Sequence, residues 1–285
     1  MAEGFETMRS WCIGRYTVDV PARFTLRAHT GSLPAVELVD LGKASATDTL
    51  ALIAERRDAL AAGRDTDEEG AQLILMDERQ SEAGPVLAAQ RRFPELDYTS
   101  DIWREEVAIL RYGHLMQITA LMSEEGASAA RAEMDLVAAT VRPWAGDAAP
   151  PPGVCLPGFV LELPRISGAW SMIFMPDGIE GPVGLKLTLV ERAPDLPPLD
   201  PPGRFDDPGA RAVQIAGLTG QELRRVGAVI SLGAVAAATP SADGWGTEII
   251  AEYFDERPDA GSAPLTPDAA TDIWEAVLQS IRPRG

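Results

Sequence analysis

The chain has 285 residues, 46% of them apolar and 24% charged. That is long enough for two domains of ordinary size, with enough apolar residues to fold without a metal or a disulfide framework. The formal net charge of −18 sets its field against nucleic-acid phosphates and anionic membrane surfaces, so no nucleic-acid partner is expected. No apolar run is long enough to span a bilayer, so no direct membrane insertion is expected. Met1–Trp11 lacks a basic flank followed by an apolar stretch and does not read as a secretory signal.

In chain order, alternation of apolar and polar residues predicts strands at 12–20, 23–28 and 35–41. A helix is expected over 47–62, with Ser45 and Asp48 as a capping pair and Gly63 as its stop. Leu50, Ile53, Ala54 and Leu60 are expected to share its apolar face, with Glu55, Arg56 and Asp58 elsewhere. Strands follow at 72–79 and 86–91, then a hairpin of 103–111 and 114–121 about Gly113, then a helix over 126–141.

Beyond a Pro/Gly segment, strands are predicted at 157–163, 169–175 and 183–190. Pro194–Gly203 is too rich in proline to hold a helix. Strands resume at 211–216, 222–229, 232–238 and 246–254. Thr266-Pro267-Asp268 opens a closing helix, with threonine as cap and proline at the first helical position. Many strands and few helices indicate an α+β fold with mainly antiparallel sheets.

The chain also reads as a duplication. Cys12-Ile13-Gly14-Arg15-Tyr16-Thr17-Val18-Asp19-Val20-Pro21 parallels Cys155-Leu156-Pro157-Gly158-Phe159-Val160-Leu161-Glu162-Leu163-Pro164. The run from Met134 to Pro143 parallels that from Trp274 to Pro283, with large residues at 134, 137 and 141 matching 274, 277 and 281. The expectation is two similar domains, 1–146 and 154–285, joined by a stiff linker at 147–153, each a sheet with one or two packed helices. The acidity is shared by both halves rather than held in a tail.

Candidate chemistry is sparse. The two histidines, His29 and His114, lie at turns, and no serine sits in a nucleophile-elbow pattern. No metal-ligand spacing or phosphate loop occurs, so neither a catalytic residue nor a cofactor is assigned. Asp19 and Glu162, equivalent in the repeat, read as polar strand-face residues rather than an acid/base pair. Gly217-Leu218-Thr219-Gly220 reads as a turn. Cys12 and Cys155 are equivalent too. Their sulfurs could meet if the first strands lie near a pseudo-twofold axis, and two buried free thiols are the other reading.

The residues that carry the repeat also carry a resemblance. Cys12–Pro21, Pro152-Gly153-Val154-Cys155, Gly217-Leu218-Thr219-Gly220-Gln221-Glu222 and the ending from Ile273 to Arg284 resemble segments of a known family. These are the two-domain immunity proteins that neutralise type VI secretion lipase effectors of the fourth phospholipase class. The resemblance implies an inhibitor without enzymatic activity, whose partner is a cognate secreted phospholipase held between two domains, its active-site mouth or lid blocked. It implies a periplasmic location, with the cytoplasm as the alternative because the family's export signal is not seen. An unrecognised hydrolase, or an envelope structural or carrier protein without a toxin partner, are the competing readings.

Contact residues are expected on loops. The first candidate is the stretch where the second half departs from the repeat, with Asp195, Leu196, Leu199, Asp200, Arg204, Phe205, Asp206 and Asp207. The second is the acidic run Asp65, Asp67, Glu68 and Glu69.

Overall fold

The computed structural model describes residues 7–67, 69–144, 151–156, 158–178, 182–194, 205, 207–227, 229–238, 244–255 and 266–284. The chain opens with β1 (Met8–Ile13), β2 (Tyr16–Pro21), β3 (Phe24–Ser32) and β4 (Val36–Lys43). After α1 (Ala46–Ala61) come β5 (Asp65–Thr66), β6 (Gln72–Ser81), β7 (Gly84–Phe93), β8 (Tyr98–Arg111) and β9 (His114–Met122). α2 (Ala127–Thr140) and β10 (Val141–Pro143) close this stretch. There follow β11 (Val154–Leu156), β12 (Phe159–Leu161), β13 (Gly168–Pro176), β14 (Val183–Arg192), β15 (Arg211–Ile215), β16 (Leu218–Val226), β17 (Ile230–Ala238) and β18 (Gly246–Asp255). α3 (Pro267–Ser280) and β19 (Arg282–Pro283) end the chain. The class is α+β with antiparallel sheets.

Two compact units are present, and their limits differ from the expected division at 147–153. The first unit takes Met1–Gly31, Gly146–Pro157 and Leu163–Gly285; the second takes Ser32–Ala145 and Gly158–Glu162. Each half therefore contributes its opening segment to the unit built mainly by the other half.

In the first unit the large sheet runs β15-β16-β17-β18-β14-β13-β3, and a smaller one runs β1-β2-β19. Ile13, Tyr16 and Val18 of the small sheet converge on Leu187, Leu189 and Ile249 of the large one. α3 packs on β2. Its Thr266 cap accepts from the Ala269 amide at 3.2 Å, and its apolar stripe buries Ala270, Ile273, Trp274, Val277 and Leu278.

In the second unit the sheet runs β4-β9-β8-β7-β6-β5, and β10 pairs with β12. Glu105 and Glu106 are neighbours on β8 and so point to opposite faces. Glu105 meets Arg131 of α2 and Glu106 meets Arg56 of α1, which places the two helices on opposite faces of this sheet. The strand order β4-β9-β8-β7-β6 has the same sense as β14-β18-β17-β16-β15 in the first unit, and each series is followed by a 14-residue helix.

Three local expectations differ from the structure. The predicted strand 12–20 is a hairpin, because Gly14 takes φ +54° at a two-residue turn that leaves the alternation on either side uninterrupted. The buried stripe of α1 is Thr49, Ile53 and Leu60, while Leu50 is 68% exposed and Ala54 also faces outward. Arg56, expected away from the apolar face, is directed to the sheet, because Glu106 is buried opposite it. The glycine motif at 217–220 is only partly a turn. Ala216 and Gly217, both at positive φ, form the turn, and Gly220 already lies inside β16, where a Cβ would stand 2.0 Å from the Val235 carbonyl oxygen.

Candidate protein-binding surface

The residues with chemical potential are held by neighbours. Cys12 and Cys155 are joined in a disulfide, with Cα atoms 5.9 Å apart, inside the first unit. The Gly14 and Cys155 backbones exchange hydrogen bonds of 2.6 and 2.9 Å beside it. Asp19 accepts from Arg282 at 3.0 Å, and Glu162 pairs with Arg142 at 3.2 Å, so both carboxylates tie down closing strands. His29 is half-buried on β3, and His114 starts β9, with its Nδ1 buried. Among the described residues no group of three or more His, Cys, Asp or Glu side chains is placed to hold a metal ion.

Among the described residues, the buried carboxylates include Glu105, Glu191 and Glu222. Burial pushes Glu105 up, but hydrogen bonds from Arg131, Trp103 and Arg79 more than offset it and hold the group below its ordinary range. Glu222 is likewise pushed up by burial and brought below its ordinary range by Arg211, Arg224 and Trp274. Trp274 Nε1 donates to it at 2.6 Å, joining α3 to β16. Glu191 is raised, because burial outweighs Arg15 at 2.9 Å and the more distant Arg165.

Of the first set of predicted contact residues, Asp195, Leu196, Leu199, Asp200, Arg204 and Asp206 lie outside the described residues, as does Glu68 of the second. Phe205 is half-buried over Gly233, whose Cβ position is 3.1 Å from the ring. It lines a hollow of about 540 Å³ on the first unit's sheet with Lys186, Leu223, Arg225 and Ile250. Asp207 accepts from Arg225 at 2.8 Å and from the Gly209 amide at 2.8 Å.

The acidic run in the second unit is internally engaged. Asp65 pairs with Arg56, while the buried Arg91 reaches Asp67 at 2.7 Å and Glu69 at 2.8 Å. Asp67 also accepts from the amides of Glu69 and Ala71 at 3.0 and 2.9 Å. Beside this cluster two hollows open on the α1 side of the sheet. One of about 510 Å³ is lined by Glu37, Val39, Thr119 and Leu121; the other, of about 320 Å³, is lined by Leu41, Leu52 and Gln117, and Arg104 borders both. Sequence reasoning did not single these residues out. The available signal was in β4, where Val39 and Leu41 are apolar on the parity opposite to Val36 and Leu38.

This arrangement defines a fold already seen in immunity proteins. No family model matches the chain, and no curated protein matches it by sequence. Among solved structures it is similar to the apo form of immunity protein TplEi of the T6SS from Pseudomonas aeruginosa. That match has a TM-score of 0.67 and 12% identity, covering 97% of each chain. It is also similar to a chain in the crystal structure of the Tle4–Tli4 complex, with a TM-score of 0.66 and 11% identity over 100% of this chain and 99% of that one. TplEi complexed with "L" peptide gives 0.63 and 10%, over 98% and 99%.

Proposed function

We propose that this chain is an immunity protein that binds and inhibits a secreted phospholipase of the type VI system, without catalysing a reaction itself. The observation that carries the reading is likeness of fold along the whole chain. TplEi, an immunity protein, matches over 97% of both chains, and the Tle4–Tli4 structure contains a chain matched over 100% of this one. The inhibitor engages the lipase with both units and obstructs its catalytic mouth or the movement of its lid. The charge of −18 supports an encounter with basic surface near that mouth, which raises the association rate more than the affinity. Screening limits this steering to about 8 Å at physiological salt, so specificity comes from a buried central patch.

The Cys12–Cys155 bond supports an oxidising compartment and hence a periplasmic site of action. We read the common strand order as an internal duplication of two repeats, 1–146 and 154–285, that exchange their opening segments. The stretch around Phe205 and Asp207, where the sequence departs from the pattern of the first half, is a candidate contact, as is the run at 65–69. The test is co-purification with the lipase-type protein encoded beside this gene, with a phospholipase assay in the presence and absence of the chain. Inhibition at near-stoichiometric ratio is expected, and undiminished lipase activity with no complex removes the reading. Excising 194–209 while the melting temperature holds should weaken inhibition; unchanged affinity eliminates that stretch.

A further inference from the structure

The α1 side of the second unit's sheet carries an open face. β4 and β9 pair through Glu37↔Thr119 and Val39↔Gln117, and β9 and β8 pair through Thr119↔Glu106 and Leu121↔Arg104. Strand alternation puts Glu37, Val39, Thr119, Leu121 and Arg104 on one side. α1 lies on this side and packs on β6 and β8. Over β4 and β9 the apolar residues stay uncovered: Val39 is 40% and Leu121 55% exposed.

The charges here are unequal in their commitments. Asp65, Asp67, Glu69 and Glu106 each pair with an arginine, and Arg104 lies 3.5 Å from Glu106. Among the described residues Glu37 has no ion pair or hydrogen bond through its exposed side chain, although Thr119 and Val39 flank it. The sheet of the first unit treats the face bearing Phe205 differently. There Lys186 pairs with Glu252 at 3.2 Å, Ser171 with Thr188 at 2.8 Å, and Phe205 lies over Gly233. An uncommitted carboxylate between exposed apolar side chains, in a chain of net charge −18, complements a cation flanked by apolar groups.

We propose that the Glu37–Val39–Leu121 face is a docking surface for a segment of the protein partner that presents a lysine or arginine between apolar side chains. The cation meets Glu37, and its neighbours cover Val39 and Leu121. This rests on the inhibitor reading and adds where the partner is held and by what chemistry.

The experiment uses the intact chain, the lipase-type protein encoded beside it, and overlapping peptides spanning that protein. Glu37→Arg and Leu121→Asp should each weaken binding at least about 30-fold, with melting temperatures unchanged. Hydrogen exchange of the unsubstituted complex should show protection at 36–43 and 114–122. The retained peptides should carry Lys or Arg between apolar residues, and reversing that charge should restore binding to Glu37→Arg. If the unsubstituted chain binds the lipase while both variants bind equally well and neither segment is protected, the docking surface is overturned and the inhibitor reading stands. If the unsubstituted chain neither binds nor inhibits, the inhibitor reading falls and this proposal with it. If sedimentation shows a dimer that Leu121→Asp converts to monomer, the face belongs to a second copy and the proposal is overturned.

Discussion

The two closing corners of the molecule are built alike and secured differently. In the second unit α2 runs into β10, which pairs with β12, and Arg142 reaches Glu162. In the first unit α3 runs into β19, which pairs with β2, and Arg282 reaches Asp19. In each corner the end of one half grips the opening strand of the other half. The first corner has more: Ser280 Oγ accepts from the Asp19 amide at 2.8 Å, Arg284 donates to the Gly153 carbonyl at 3.1 Å, and the disulfide holds Cys12 to Cys155. Exchange of opening segments is the shared solution, and covalent fastening is added where the exchanged piece is longer, 31 residues against the five of 158–162.

Removing the disulfide should break this comparison most severely. The bonded cysteines are 143 residues apart, and a closed loop of that length restricts the unfolded chain strongly. Cys12→Ala with Cys155→Ala, or reduction, should lower the stability of the first unit by about 2–5 kcal/mol. Urea denaturation followed by hydrogen exchange should show α3 losing protection before α2. An equal loss at both helices would mean that the bond does not serve the first unit in particular.

Much of this architecture was legible because it is local. The capping box at the start of α1 is made by Ser45 and Asp48, and Thr266-Pro267 opens α3 as its composition requires. The exchange was not legible, because β12 could pair with any strand of matching alternation. Its choice of β10 is fixed by contacts distant in sequence. Arg56 was assigned away from the sheet because a helix face is judged by its own residues, whereas the deciding group, Glu106, is 50 residues further on. The same holds for the candidate surface. Glu37, Thr119 and Leu121 become neighbours only through strand register, which the outward apolar residues Val39 and Leu41 of β4 do not reveal by themselves, while the conspicuous acids at 65–69 are engaged by Arg56 and Arg91.

Each unit also has a buried carboxylate bonded to its closing helix, Glu105 to Arg131 of α2 and Glu222 to Trp274 of α3. Burial alone would raise both groups, but their hydrogen bonds prevail and bring both below the ordinary value of 4.5. A carboxyl group lowered on folding adds stability that is complete above its unfolded pKa and is lost as pH falls through the folded one. Both units should therefore weaken below about pH 4.5. Glu105→Gln and Glu222→Gln should each cost about 2 kcal/mol at neutral pH, less than a fully buried pair because the arginines remain partly wet. Each variant should flatten the acid limb of the urea midpoint in its own unit. A limb unchanged in Glu222→Gln but flattened in Glu105→Gln would show that Arg211, Arg224 and Trp274 together lower Glu222 less than Arg131, Trp103 and Arg79 lower Glu105.

The smallest expected difference is between the two corner arginines. Arg282 is about half exposed and bonds Asp19 through two nitrogens, at 3.0 and 3.4 Å. Burial would raise Asp19, yet Arg282 and Ser10 bring it below its ordinary range, so this pair contributes above the unfolded pKa near 4. Arg142 reaches Glu162 through one nitrogen while its Nη1 donates to the Ala139 and Val141 carbonyls. Arg282→Ala should cost up to about 1 kcal/mol and Arg142→Ala a few tenths, as exposed pairs do. Double-mutant cycles with Asp19→Ala and Glu162→Ala, run at low and molar salt, separate the ion pair from the carbonyl contacts, because screening removes the former first. A larger coupling at Asp19 that collapses in salt would mean the two corners share their geometry but not their energetics. Equal couplings would assign the added security of the first unit's corner to the disulfide, Ser280 and Arg284.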